Sequence, residues 1–202
     1  LGVDLDDEPM EWGRTHNLEK LAADARARVM LVRADARDVF ADRRVDVVAA
    51  QNCSYWVFRT RAELRGYFQA AHANLRERGV LVLDMMGGPQ FMQDDARQTR
   101  DKRGYRYAWE QERFDPVTHE CVFHIHFEFP DGTRQRRAFT YRWRLWTLPE
   151  VREVLLEAGF QRAVVWFGRT DEDTGTGTGI FEAVESAPAD PAWLAYVVGI
   201  KE

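Results

Sequence analysis

Short, wholly apolar runs alternate with stretches of helical periodicity through the first half of the chain. Leu1-Gly2-Val3-Asp4-Leu5-Asp6-Asp7 reads as the end of a buried strand delivering carboxylates to a strand–helix junction. Asp6 or Asp7 can cap a following helix, with Pro9 in its first turn, where a missing N–H costs little. Met10, Trp12, Leu18 and Leu21 supply its apolar positions through residue 24, with one break around Gly13 and Asn17. Val29-Met30-Leu31-Val32 is a continuous apolar run, as in a strand covered on both faces, and Ala34-Asp35-Ala36 follows it. Val45 to Ala50 is the next strand and runs into Gln51-Asn52-Cys53-Ser54-Tyr55-Trp56. Leu64, Phe68, Ala71 and Leu75 then fall on one helical stripe, which Gly79 is expected to stop. Val80 to Asp84 is another buried strand, closed by Met85-Met86-Gly87-Gly88-Pro89. Strand and helix in alternation with short connections predict parallel βαβ units.

Beyond this the period changes. Residues 104–146 read as three antiparallel strands, with Tyr105, Tyr107 and Trp109 alternating in the first and a hairpin signal at Pro130-Asp131-Gly132-Thr133. A helix begins at Thr147 or Leu148, carries Val151, Val154, Leu155 and Ala158 as its stripe and ends at Gly159. Phe160 to Phe167 and Trp193 to Ile200 read as two closing strands around a loop rich in Gly, Thr and Asp. Within it Gly175-Thr176-Gly177-Thr178-Gly179 matches a dinucleotide loop by letters only. No strand precedes it and no helix follows at the required spacing, so a mobile connection is expected over 171–179.

Length and composition narrow the classes. A chain of 202 residues with 45% hydrophobic content fits one domain, here 1–202, with 104–146 as an insertion. The net charge of −5 and interleaved charges argue against nucleic acid as the main partner. Cys53 and Cys121 lack CxxC partners, which argues against a zinc knuckle or disulfide framework and suits a reducing, cytoplasmic setting. No apolar run reaches the ~18 residues of a membrane span. His124 and His126 share one strand face, but no third ligand of matching context accompanies them, so no metal is expected.

In order and spacing the motifs resemble those of the class I S-adenosylmethionine-dependent methyltransferases over nearly the whole chain. Gly2-Val3-Asp4-Leu5 resembles the acidic motif of the family's second strand, and Ala34-Asp35-Ala36 that of the third. Val45-Asp46-Val47-Val48 through Ser54 resembles the fourth-strand motif. Leu75 through Asp84 resembles the helix, Gly turn and fifth strand, and Trp146 through Phe160 the late helix and its turn. Ser54-Tyr55-Trp56-Val57-Phe58 and Ala138 through Trp146 are similar to a bacterial subgroup of unknown substrate. The resemblance implies a Rossmann-like α/β fold: a mostly parallel sheet with an antiparallel final strand pair, and the antiparallel insertion as a substrate cover.

It also implies roles. Asp4 and Leu5 would meet the ribose, Asp35 and Ala36 the adenine, and Gln51 and Asn52 the methionyl part of S-adenosyl-L-methionine, with S-adenosyl-L-homocysteine as product. Tyr55, Trp56, Tyr141, Arg142 and Trp143 would contact a small-molecule substrate, and Asp84 is the candidate for the group that orients or deprotonates the acceptor. The family's first strand and Gly-rich loop have no counterpart here, so the expectation is a domain lacking roughly 60 N-terminal residues, a length set by a βα unit and leader. The rival reading is a noncatalytic methyltransferase-like domain that binds or forms a homodimer, through the aromatic insertion. A Rossmann oxidoreductase is disfavoured because its fingerprint is absent.

Overall fold

The computed structural model describes residues 1–171 and 173–202. At one end β1 (Gly2–Asp4) and β2 (Leu31–Arg33) pair in parallel, Gly2 opposite Leu31 and Asp4 opposite Arg33. Between them run α1 (Asp7–His16), a 3-10 turn (Leu18–Lys20) and α2 (Ala23–Ala27). Asp6 caps α1 as its side-chain type dictates, accepting a hydrogen bond from the Glu8 N–H at 3.0 Å. The helix runs through Gly13 and breaks at Asn17. The predicted strand over Val29–Val32 is displaced: Val29 and Met30 are exposed and pairing starts at Leu31. A two-stranded sheet with three residues per strand has too little surface to cover both faces of that run.

A five-stranded sheet forms the body, in the order β10 (Gly177–Val184), β9 (Arg162–Thr170), β11 (Trp193–Ile200), β4 (Leu75–Gly87), β3 (Val45–Ala50). β3 and β4 are parallel, and β11 runs antiparallel to both β4 and β9, which gives the expected antiparallel final pair. The sheet is not the mostly parallel one expected, because among the described residues β1 and β2 pair apart from it and β10 adds a further antiparallel ladder. The strand β10 lies where only a loop was expected; it pairs antiparallel with β9 from Gly177 onward. β4 is also longer than the predicted Val80–Asp84. The preceding helix α3 (Arg61–Asn74) ends before Leu75, and Gly79 lies inside the strand. A Cβ on Gly79 would sit 2.8 Å from the Arg76 carbonyl and 3.1 Å from that of Asp46. Close approach of backbones, not helix termination, is what needs glycine there.

α3 and α4 (Leu148–Glu157) pack on one face of this sheet. The predicted stripes are the ones buried: Leu64, Phe68, Ala71 and Leu75 from the first, Val151, Val154 and Leu155 from the second. Thr60 and Thr147 each close a capping box, with Glu63 and Glu150. Lys201 is buried and donates through Nζ to the carbonyls of His72 at 3.1 Å and Leu75 at 2.9 Å, terminating α3 with a positive charge.

From Gly87, at the carboxyl end of β4, the chain enters a second sheet. It has four antiparallel strands in the order β5 (Ala96–Lys102), β6 (Tyr105–Phe114), β7 (Glu120–Glu128), β8 (Arg134–Arg144), one more than predicted. β5 was invisible in the sequence because Ala-Arg-Gln-Thr-Arg-Asp-Lys shows no apolar alternation, as befits an exposed edge. The inner face of this sheet presents Trp109, Phe123, Tyr141 and Trp143 to the main core. The outer face carries Glu110, Glu112, His124, Thr140 and Arg142.

Candidate functional site

The strand ends of the two parallel pairs hold the candidate cofactor residues. Asp4 closes β1, and its carbonyl accepts from the Ala34 N–H at 3.0 Å, so Asp4 and Asp35 lie at adjacent strand ends. Asp4 and Leu5 are exposed. The Asp4 Oδ1 accepts from the Asp6 N–H at 3.0 Å. Asp35 is occupied differently. Its Oδ1 accepts from the Arg37 backbone N–H at 2.8 Å and from Nε at 2.9 Å, and its Oδ2 accepts from Nη2 at 2.6 Å. The hydrogen bonds from the Arg37 side chain and backbone hold the Asp35 carboxyl down at about 2. Ala36 is the exposed middle of that turn. The Arg37 guanidinium also lies over the Phe58 ring at 5.5 Å, which brings the segment after β2 against the segment after β3.

Gln51 and Asn52 follow β3 and are exposed, while Cys53 is buried. Asn52 and Cys53 both adopt left-handed backbone, with φ of 59° and 52°. Such conformations cost side-chain-bearing residues of order 1 kcal/mol or more each. The Asp84 carboxylate offsets this, accepting from the Asn52 N–H at 3.0 Å and the Cys53 N–H at 2.9 Å. Asp84 is therefore a clamp on the β3 loop, with both carboxyl oxygens engaged.

The substrate candidates fall into two places. Tyr55 and Trp56, on a 3-10 turn over Ser54–Val57, are 1% and 0% exposed. They belong to the core, Tyr55 tilted on Phe68 at 6.1 Å and Trp56 edge-on to Trp143 at 5.6 Å. Tyr141 meets Trp143 at 4.4 Å and stacks towards Trp109 at 6.2 Å. Trp56, Trp143, Tyr141 and Trp109 thus form one aromatic series running from the core to the half-buried edge of the inner face. Arg142 is on the opposite face of the same strand and does not join them. Sequence reasoning left out Trp109, although its place in the Tyr105–Tyr107–Trp109 alternation put it on the same face. It also left out Arg37 and Phe58, whose contact only the tertiary fold creates.

Several buried polar atoms lack hydrogen-bond partners among the described residues, including Tyr55 Oη, Trp56 Nε1 and Trp109 Nε1. Burial pushes the Cys53 thiol far up and that of Cys121 to about 12, so neither is a ready nucleophile. Two open hollows occur elsewhere. One of about 310 Å³ lies between α1 and β2, lined by Met10, Gly13, Leu18 and Leu31. The other, of about 280 Å³, lies between α4 and the ends of β9 and β11, lined by Leu148, Arg152, Phe167 and Trp193. Neither is lined by the strand-end residues. Among the described residues no helix is long and apolar enough to cross a membrane.

No family model matches the chain, and no curated protein matches it in sequence. Solved structures do match in shape. An S-adenosylmethionine-dependent methyltransferase from Clostridium acetobutylicum superposes with a TM-score of 0.66 at 17% identity, over 99% of this chain and 74% of its own. The CcbJ methyltransferase from Streptomyces caelestis gives 0.68 at 14% identity, over 100% and 74%. CalS10 from Micromonospora echinaspora, an amino pentose methyltransferase solved with bound S-adenosylmethionine, gives 0.61 at 17% identity, over 96% and 72%. The chain has the fold of the class I S-adenosylmethionine-dependent methyltransferases, and it spans about three quarters of the length of these neighbours.

Proposed function

We propose that the protein transfers a methyl group from S-adenosyl-L-methionine to a small-molecule acceptor. The observation that carries this reading is the convergence of strand ends. Asp4 and Asp35 close one parallel pair, Gln51 and Asn52 follow the other, and Arg37 against Phe58 ties the two together. Ligands of open α/β sheets bind beyond the carboxyl ends of strands. The donor set suits this cofactor. Ribose hydroxyls are donors, and the exposed Asp4 carboxylate is an acceptor. The Gln51 and Asn52 side-chain amides can serve both the amino and the carboxylate groups of the methionyl part.

S-adenosylmethionine, when bound, would supply an electrophilic methyl carbon: an acceptor lone pair would form the new bond to it in line while the CH3–S bond breaks, its electron pair leaving with sulfur as S-adenosylhomocysteine and the acceptor's proton passing to water. The protein's own task is alignment and exclusion of water, and orientation of this kind can be worth about 7–11 kcal/mol. Asp4 holds the ribose, Asp35 and Ala36 border the adenine, and Asp84 fixes the Asn52 loop. The four-stranded sheet packs against the turn that follows β3, with Trp109, Tyr141 and Trp143 turned inward, and Tyr55 and Trp56 back that wall. The amino pentose acceptor of CalS10 supports a hydroxyl- or amine-bearing small molecule as substrate. Two free, buried cysteines support a cytoplasmic setting.

Among the described residues β1 and β3 each have one edge without a pairing strand, and both edges are open to solvent. Such open edges support the reading that a further strand can seat between them. A test is methyl transfer from methyl-labelled S-adenosylmethionine to a panel of amino sugars and phenols, catalysed by the full-length protein. Incorporation into one class is expected. No incorporation, with cofactor bound, would confine the protein to a binding role. One observation favours that second, noncatalytic reading: both Asp35 oxygens are already taken by Arg37.

A further inference from the structure

The outer face of the four-stranded sheet carries a cluster that methyl transfer does not use. β6 contributes Glu110 and Glu112, β7 contributes His124 and His126, and β8 contributes Thr140. Antiparallel register sets Glu110 opposite His124 and His124 opposite Thr140. The candidate ligand atoms of Glu110, Glu112 and His124 all lie within 4.8 Å of one another. His124 is 2% exposed, with Nε2 at 2.6 Å from the Glu112 Oε2 and Nδ1 at 2.9 Å from the Thr140 Oγ1.

A second observation points into the same cluster. His126 is 7% exposed. Its Nδ1 accepts from the Arg137 backbone N–H at 3.1 Å, so in the neutral ring Nε2 carries the proton. That buried Nε2 has no hydrogen-bond partner among the described residues, although the Glu110 Oε2 is 3.2 Å away and out of line. A buried donor left unmatched is unfavourable, and a turn of the Glu110 carboxylate would satisfy it.

We propose that Glu110, Glu112 and His124 bind one divalent transition-metal ion, zinc being the natural fit to imidazole and carboxylate donors, with water completing the coordination. An ion needs these atoms at about 2.0–2.2 Å, which rotation of the two exposed-tipped glutamates provides. The outer shell is already in place. Once an ion replaces the His124 Nε2–Glu112 hydrogen bond, the proton can sit on Nδ1 and be donated to Thr140 Oγ1, which holds the ring with Nε2 towards the metal, and the Nε2–H of His126 steers Glu110. The competitor is Arg137, whose Nη2 donates to the Glu112 Oε2 at 2.6 Å and whose half-exposed side chain must swing away. Arg97 stands 3.8 Å from Glu110. The ion cross-links β6 and β7 on the face away from the aromatic wall, so its role is to stiffen the cover sheet.

The test is calorimetric titration of the chelator-treated full-length protein with zinc chloride, repeated with cobalt chloride and followed by visible absorption. One saturable site is expected. Glu110→Gln, which removes no hydrogen bond seen here, and Glu112→Gln are expected to lose it. Thr140→Val should weaken it by about 10–100-fold, and Arg137→Met should tighten it. Far-ultraviolet circular dichroism identifies any variant that has not folded, and Glu110→Gln is the variant least exposed to that outcome. Absence of saturable uptake, or uptake unchanged in folded Glu110→Gln, overturns the proposal.

Discussion

The two halves of the edge proposed to hold the cofactor are built to different standards. Around β1 and β2 the strands are three residues long, Asp4 and Leu5 are exposed, and Val29, Met30 and Val39 face solvent. Around β3 and β4, Leu81 and Leu83 are wholly buried in one core cluster with Phe68 and Trp56. The first half displays acceptors on a lightly packed support, and the second fixes the loop geometry from a dense core. Changes in the second half should therefore register in folding, whereas changes at the tip of the first should register in binding.

Phe68→Ala is expected to have the largest effect, about 3–5 kcal/mol of unfolding free energy, because it empties a fully packed site. Met10→Ala in the β1–β2 half borders an open hollow and should lose less than about 2 kcal/mol, the low end for such truncations. Urea unfolding measures both, and equal losses would break the comparison. Asp84→Ala comes next, at about 3 kcal/mol, since two N–H groups of a strained turn lose a charged acceptor. Lys201→Met should follow at about 2 kcal/mol through the two carbonyls it leaves unmatched.

A smaller effect is expected from pH. Burial, then the neighbouring Lys201 charge, lowers the affinity of His72 for a proton, with Glu77 acting the other way. The unfolded ring, near 6.5, binds protons that the native ring resists, so stability is full above that pH and falls as the pH drops through it. His72→Gln should flatten the dependence of the thermal midpoint on pH between about 5 and 7.

What could be read from sequence follows the same division. The stripe Leu64–Phe68–Ala71–Leu75 was legible because burial against a sheet imposes a strict period. β5 and β10 were not, since an exposed edge strand needs no apolar alternation and a Gly-Thr run hides its pairing. Strand-end positions of Asp4, Asp35, Gln51 and Asn52 were legible from the runs that precede them. The Arg37 ion pair on Asp35 and the Asp84 clamp on the Asn52 loop depend on side-chain choices that no spacing encodes. The burial of Tyr55 and Trp56 and the separation of Arg142 from Tyr141 depend on which way each element faces. The Glu110–Glu112–His124 cluster escaped for a related reason. Its members lie on different strands, and only the register of β6 against β7 brings them together.

The most direct measurement is calorimetric titration of S-adenosylhomocysteine into the full-length protein and into Asp4→Ala. One site in the wild-type protein is expected. Asp4→Ala should keep its stability within about 0.5 kcal/mol, as an exposed position does, while its affinity falls by roughly tenfold to a hundredfold through lost hydrogen bonds to a charged acceptor. No binding by folded wild-type protein, or undiminished binding by Asp4→Ala, would contradict the assignment of this edge as the cofactor site.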